Sequence, residues 1–242
     1  MDVQEILENG AQHFLPNLSI DIVIIGYQEE QLKCLLLNLG GKWSLSGGYI
    51  KKKESVEVAA ERILMERTRL QHQHLKFLSV AGDQGRRFSQ EFKVAFEERG
   101  LEWKEEHWVN NRFVSLIYYA LVDINKTFPE PGDFGGEPAW FNMDDLPEMW
   151  MDHQAIVASV RKHLQEEIVK QPITTNLLPS HFTMPQLHKL HQTILGEKLD
   201  RSRFQKKMLA TGKFERLPKL KKESPGSNPY QYRLKEEMRA NP

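Results

Sequence analysis

Cysteine is almost absent from this chain of 242 residues. Cys34 is the single one, so no disulfide framework is possible. Its place in the apolar run Leu32 to Leu39 is that of a small buried hydrophobe. Long hydrophobic runs are missing too. No stretch approaches the roughly 20 apolar residues of a membrane span, and the opening MDVQEILENG is acidic and polar rather than signal-like. The expectation is a cytoplasmic protein with no membrane partner. Zinc spacing is also lacking: His181, His188 and His191 have no cysteine or carboxylate partners at ligand intervals. Net charge is nil, 33 Lys and Arg against 33 Asp and Glu.

That neutral total hides an asymmetry. Thr183 to Pro242 carries 14 Lys and Arg against 6 Asp and Glu, leaving 19 against 27 before it. A basic C-terminal piece on an acidic body suggests a nucleic-acid-binding module attached to something else. The length allows one large or two modest domains.

The chain opens with a weakly helical Val3 to Leu15, stopped by Pro16 and Asn17. Leu18 to Tyr27 and Gln31 to Leu39 read as strands joined by a tight turn, QEE, and their near-continuous apolar character predicts burial on both faces. Lys42 to Leu45 leads into a loop at Gly47, followed by a helix from about Glu54 to Arg69. Leu75 to Ala81 is the next strand, and Arg112 to Val122 the strongest one. The charged segment between them, about 84–111, reads as an insertion that covers a pocket or forms a dimer contact. Phe92 and Phe96, four apart, predict that part of it is helical. Trp140 and Phe141 begin a short strand. Asp152 then caps a helix from about His153 to Lys170; the adjacent Asp152 and His153 read as this cap rather than as a catalytic pair. Gln171 to Ser180, with Pro172 and Pro179, is a linker. Domains of 1–172 and 173–242 are expected.

The stretch Gly47 to Leu70, GGYIKKKESVEVAAERILMERTRL, places a paired glycine and a lysine-rich loop before an amphipathic helix. Such a loop and helix can cradle a phosphorylated ligand. Residue by residue it resembles the Nudix box: Gly48, Glu54, Arg62, Leu64, Glu66 and Leu70 stand where that pattern asks. Ile63 and Arg67 replace two of its glutamates, and Arg69 replaces its glycine. The resemblance implies an α/β Nudix-type α/β/α sandwich. It also implies hydrolysis of nucleoside diphosphate derivatives through magnesium or manganese held by those glutamates. Positions 63, 66 and 67 share a helix face, and carboxylates there suit a hard cation. With Ile63 and Arg67 present, one carboxylate remains beside a fixed cation. The expectation is therefore a degenerate domain with no catalytic residue and no metal, in which Arg67 can pair with Glu66.

In the C-terminal piece, Thr183 can cap a helix with Pro185 in its first turn, ended by Gly196. Asp200 caps a second helix, RSRFQKKMLATG. Phe214 to Leu220 and Pro229 to Leu234 read as two strands around a basic loop, KKESPGSN. Helix, turn, basic helix and hairpin make a winged helix-turn-helix, with the second helix suited to the major groove. Basic residues on a helix otherwise serve as a solubilising face. The order Phe-Thr, Gln-Leu, Ile-Leu-Gly, Leu-Asp-Arg, then Pro-Tyr-Gln-Tyr-Arg is similar to the C-terminal domain of Nudix-related transcriptional regulators of the NrtR type. That family has an Arg-Asn-Phe-Arg-Arg-like stretch where Arg201 to Lys207 stand here, and an Arg-Pro-Ala…Tyr ending where Ser227 to Tyr232 stand. Arg203 and Lys206 remain basic, while Ser202, Gln205 and Asn228 differ.

The resemblance implies a homodimer on double-stranded operator DNA, responsive to a small effector: a pentose, a sugar phosphate or an ADP-ribose-like metabolite, with the missing metal glutamates favouring the pentose or sugar phosphate. The effector residues expected from position in that fold are Trp43, Gly47, Gly48, Glu66, Asp83 and Arg112. The DNA-contacting residues expected are Arg201, Ser202, Arg203, Gln205, Lys206 and Lys207, with Lys221, Lys222 and Tyr230 on the wing. The rival readings are a working Nudix hydrolase with magnesium as cofactor, and a scaffold whose basic tail binds protein.

Overall fold

The computed structural model describes residues 3–71, 74–86, 89–97, 100–132, 136–170, 176–219 and 228–235. After helix α1 (Val3–His13), strands β1 (Phe14–Gln28), β2 (Gln31–Leu39) and β3 (Lys42–Lys51) precede helix α2 (Val56–Thr68). Then come β4 (His74–Ala81), α3 (Ser89–Glu97), β5 (Val114–Leu121), β6 (Pro138–Asn142) and α4 (His153–Lys170). The six strands form one sheet in the order β4-β5-β1-β3-β2-β6, with β1 and β5 parallel. Strand periodicity decides what each face buries. Ile20, Ile22 and Ile24 of β1 pack under α2 with Ala59, Ala60, Ile63 and Leu64. Val23 and Ile25 pack under α4 with Ile156, Val157, Val160 and Leu164. This is the expected α/β/α sandwich, and the expected burial of β1 on both faces. No described helix is long and apolar enough to cross a membrane.

The β1–β2 turn is the two residues Glu29 and Glu30, both left-handed (φ 52 and 61). Such turns match the twist of the flanking strands. Two boundaries depart from the sequence reading. The first helix ends at His13, and Pro16 and Asn17 lie inside β1. Pairing with β3 shifts register between Phe14 and Ser19, and Asn17 takes φ 62; proline is tolerated where a ladder is irregular. Gly47 and Gly48 lie within β3 rather than in a loop. Gly47 is opposite Asp21. A Cβ there would sit 2.7 Å from the Ile20 carbonyl oxygen and 2.8 Å from Asp21 Oδ1. The glycine is required by close approach, not by a turn.

The C-terminal piece has β7 (Phe182–Thr183), α5 (Met184–Leu195), α6 (Arg201–Ala210), β8 (Phe214–Lys219) and β9 (Tyr230–Leu234), with a sheet β7-β9-β8. Thr183 and Gln186 form a reciprocal capping box, and Gly196 closes α5 in the left-handed region. The Asp200 carboxylate accepts the Arg203 N–H at 2.7 Å. These confirm the expected helices and hairpin; β7, two residues long, was not foreseen. The expected linker is in part buried. Residues 171–175 lie outside the described ones, but Leu177 and Leu178 are buried. They join an apolar cluster running from β1 and β2 through Leu164 and Ile168 to Leu187, Leu190, Ile194, Phe204 and Tyr232.

Candidate ligand cavity and nucleic-acid interface

Helix α4 covers Val23 and Ile25 of β1, but it starts only at His153. Ser19 and Asp21 lie on the same strand face, beyond that cover. A cavity of about 140 Å³ opens there, floored by Ser19, Asp21, Ser44, Leu45, Gly47, Gly48 and Ser115. Leu37, Leu39, Tyr49, Phe113, Trp150 and His153 also line it, as do Arg86, Phe92 and Val109 of the inserted segment. The described part of the segment therefore borders the cavity. It is held down by a small core of its own. Trp108 packs against Gly10 of α1 and donates to the Ile6 carbonyl at 2.6 Å. Its ring also stacks on Phe14 at 5.7 Å, and Phe96 is fully buried.

The polar groups of the cavity are arranged around Arg86, whose side chain is 5% exposed. Nη2 lies 3.4 Å from Asp21 Oδ2 and 3.1 Å from Asp152 Oδ1, and Nη1 donates to the Ala81 carbonyl at 3.0 Å. The Asp152 carboxylate thus faces Arg86, while its backbone carbonyl accepts the Ile156 N–H. His153 Nδ1 accepts the Leu45 N–H at 3.1 Å. Burial pushes the pKa of this imidazole down; Arg86 adds to that, while Asp21 and Asp152 oppose it. The Oγ atoms of Ser19 and Ser115 are 2.7 Å apart. The site is a compact hydrogen-bonding array between aromatic and aliphatic walls.

On the opposite face of the sheet, Arg62 organises α2. It binds Glu54 at 2.6 Å, Glu66 at 3.1 Å and the Tyr49 carbonyl at 2.9 Å. Ile63 is fully buried in the core. Arg67, 3% exposed, donates to the Pro131 and Gly47 carbonyls at 3.2 and 3.3 Å. Glu66 was expected to take Arg67; it takes Arg62, one helical turn away, because Arg67 is turned under β3. Among the described residues, no group of three or more His, Cys, Asp or Glu is placed to hold a metal ion.

Of the expected effector residues, Gly47 and Gly48 line the cavity. Trp43 packs edge-on against Phe141 at 4.4 Å, outside it, and Glu66 is on the α2 face. Asp83 shapes the turn that delivers Arg86. Its carbonyl accepts the Arg86 N–H, and its carboxylate accepts the Gly85 N–H at 2.7 Å. Arg112 is exposed and donates to the Gly82 carbonyl. The sequence reading missed Asp21, Arg86, His153 and the serine pair. A signal existed: Asp21 and Ser115 are polar residues at inward positions of otherwise apolar strands.

In the C-terminal piece, Arg201, Ser202, Arg203, Gln205, Lys206 and Lys207 are all exposed on α6, while Phe204 and Met208 are buried. Tyr230 is exposed on β9, with the Arg216 guanidinium 3.3 Å above its ring and Lys219 Nζ 5.1 Å away. Arg216 and Lys219 were not foreseen. Three residues apart, they would face opposite ways in a regular strand, but β8 shifts register between them and both reach one ring. Lys221 and Lys222 lie outside the described residues. His191, buried between α5 and α6, sits edge-on to Phe204 at 4.8 Å.

A family model described as the NUDIX domain matches residues 16–160, and one described as the NrtR DNA-binding winged helix domain matches residues 174–234. An "ADPR responsive transcriptional repressor" of Acinetobacter baylyi is 21% identical over 215 residues, 85% of this chain and 77% of that protein. Among solved structures, Shewanella oneidensis NrtR complexed with a 27mer DNA superposes with a TM-score of 0.69 at 22% identity, covering 92% of this chain and 95% of that one. A MutT/nudix family protein from Enterococcus faecalis gives 0.65 at 21% identity, covering 97% and 94%. At these identities the superpositions speak for the fold.

Proposed function

The chain belongs to the Nudix family and carries an NrtR-type winged helix domain at its C-terminal end, and on that premise we propose that it is a ligand-responsive DNA-binding transcriptional repressor. The observation that carries this reading is the exposed face of α6. Four cations, Arg201, Arg203, Lys206 and Lys207, stand on a ten-residue helix capped by Asp200. The helix is seated in a winged helix fold whose second helix suits a major groove. The stacked Arg216 and Tyr230 add a second basic point on the hairpin.

The effector belongs in the cavity bordered by the insertion. The Acinetobacter relative's description makes an ADP-ribose-like metabolite the first candidate, ahead of a free pentose or sugar phosphate. A cavity of about 140 Å³ has room for one ring of such a molecule. Asp21 and Asp152 offset the charge of Arg86, which favours an uncharged, hydroxyl-bearing ring inside and any phosphate outside. Hydrolysis is not part of this reading. A divalent cation needs several oxygen ligands, and Ile63 and Arg67 stand where carboxylates would be required. A homodimer on a pseudo-palindromic site completes it.

The test is a mobility-shift titration on the upstream region of the chain's own operon, at two salt concentrations, with and without ADP-ribose. Arg203→Ala and Lys206→Ala should each weaken binding and flatten its salt dependence, the slope falling by about 0.9 for each phosphate no longer neutralised. Unchanged affinity in both would remove α6 from the interface. Magnesium-dependent turnover of ADP-ribose that disappears in Glu66→Gln would replace the regulator reading with the enzyme.

A further inference from the structure

Two elements run from the cavity to the DNA-binding domain. Strand β1 carries Asp21 at the cavity and leads to the turn at Glu29 and Glu30. There the Glu30 carbonyl accepts the Thr193 hydroxyl at 2.9 Å, and its carboxylate meets Lys189 Nζ at 2.8 Å, both residues on α5. Helix α4 starts at the cavity with His153. Twelve residues on, its Gln165 donates to the Ile194 carbonyl of α5 at 3.1 Å. Leu164 and Ile168 pack in the cluster that holds Leu187 and Ile194. Arg86 bridges the cavity ends of these same two elements, through Asp21 on β1 and Asp152 immediately before α4.

We infer that Arg86 is the positioning residue that sets the spacing between β1 and α4, and that a ligand in the cavity changes operator binding by altering this bridge. The inference rests on the cavity being the effector site. One nitrogen, Nη2, serves both carboxylates, at 3.4 and 3.1 Å. Neither contact reaches the 2.7–2.9 Å typical of a charge-assisted hydrogen bond. The bridge is thus a shared one, a long hydrogen bond to Asp21 and an ion pair to Asp152 that makes no hydrogen bond. A ligand hydroxyl within the cavity offers Asp21 a donor and Arg86 an acceptor. Once Asp21 is engaged, Arg86 closes on Asp152, and the start of α4 moves relative to β1. Packed cores switch between discrete arrangements rather than stretching, so the displacement is delivered at the α5 ends of both elements. A ligand shifts DNA affinity only through a difference in its contacts between two arrangements; here that difference is which carboxylate holds Arg86.

The experiment uses the full chain and reads one ratio, the operator dissociation constant at saturating ADP-ribose over that without it. In the unaltered protein this factor should fall in the range of about 5 to 150 typical of coupled sites. Asp152→Asn cuts the bridge at a residue that does not line the cavity. It should bring the factor close to one at ADP-ribose concentrations that calorimetry shows to saturate the variant, and Arg86→Lys should leave an intermediate factor. A full factor in Asp152→Asn overturns the inference and leaves the effector assignment standing. If ADP-ribose fails to bind the unaltered protein, the effector assignment falls, and hydrogen exchange decides the bridge without ligand. Asp152→Asn should then speed exchange at the amides of Gln192 to Leu195 several-fold, and unchanged exchange there would overturn it. Circular dichroism melting confirms that each variant is folded.

Discussion

Single positions explain much of how this molecule behaves. Burial drives the pKa of His191 down to about 4, with Lys207 and His188 adding to the shift; His74 is pushed to about 4 mainly by burial. An unfolded imidazole takes up its proton near pH 6.5, so between the two values the unfolded chain binds protons that the folded chain refuses. The stability tied to these groups is complete above about pH 6.5 and is lost as pH falls toward 4. His191→Leu should therefore be more acid-tolerant than the parent by on the order of 2 kcal/mol at pH 5, and nearly neutral at pH 8, in urea titrations. A different constraint acts at Gly47, where a side chain would meet the Ile20 carbonyl as well as Asp21. The backbone cannot yield as a flexible side chain can. Gly47→Ala should cost about 1–3 kcal/mol and weaken ligand binding, read by urea midpoint and calorimetry. Cys34 is sealed, its thiol raised to about 12 by burial alone. Alkylating reagents should label it only once denaturant opens the fold.

Among the elements, the inserted segment and the hairpin have roles that their composition alone does not reveal. The segment that carries α3 is charged, yet its few aromatic residues dock it on α1 through Trp108 and Phe96. Trp108→Ala empties a buried site and should cost about 3–5 kcal/mol. Limited proteolysis should then cut within 84–111 before the rest of the chain, and a cut elsewhere first would show that the segment is held by other contacts. In the hairpin, two cations lie against the Tyr230 ring. Arg216→Ala should lower the salt slope of DNA binding by about 0.9, and Tyr230→Ala should lower it by less, because the Arg216 charge remains. The double variant should resemble Arg216→Ala, because the ring acts through the guanidinium. Full additivity in competition titrations would mean that the stack is only structural.

At the scale of the whole molecule, the layered architecture was legible because strand and helix periodicities are strong here. Val23 and Ile25 alternate with Ile22 and Ile24, and the two sets face different helices. The capped helices of the C-terminal piece were equally plain, since Thr183, Gly196 and Asp200 act locally. What escaped depends on distant pairing. Arg86 acquires its role only when β1 and the start of α4 meet around it, 65 residues from Asp21 in sequence. Arg216 and Lys219 needed a register shift that no local pattern announces. Gly47 looked like a turn because glycine usually marks one, whereas here it admits a neighbouring carboxylate.

The apolar cluster that begins under α4 and ends at Phe204 and Tyr232 has no seam at the boundary between the modules. Heating should therefore produce a single endotherm whose calorimetric and van't Hoff enthalpies agree. A fragment beginning near residue 173 would leave Leu187, Leu190 and Ile194 wet on the side where Leu164 and Ile168 now lie. The winged helix is, in this sense, a borrowed surface: severed from the sheet, it should aggregate in solution.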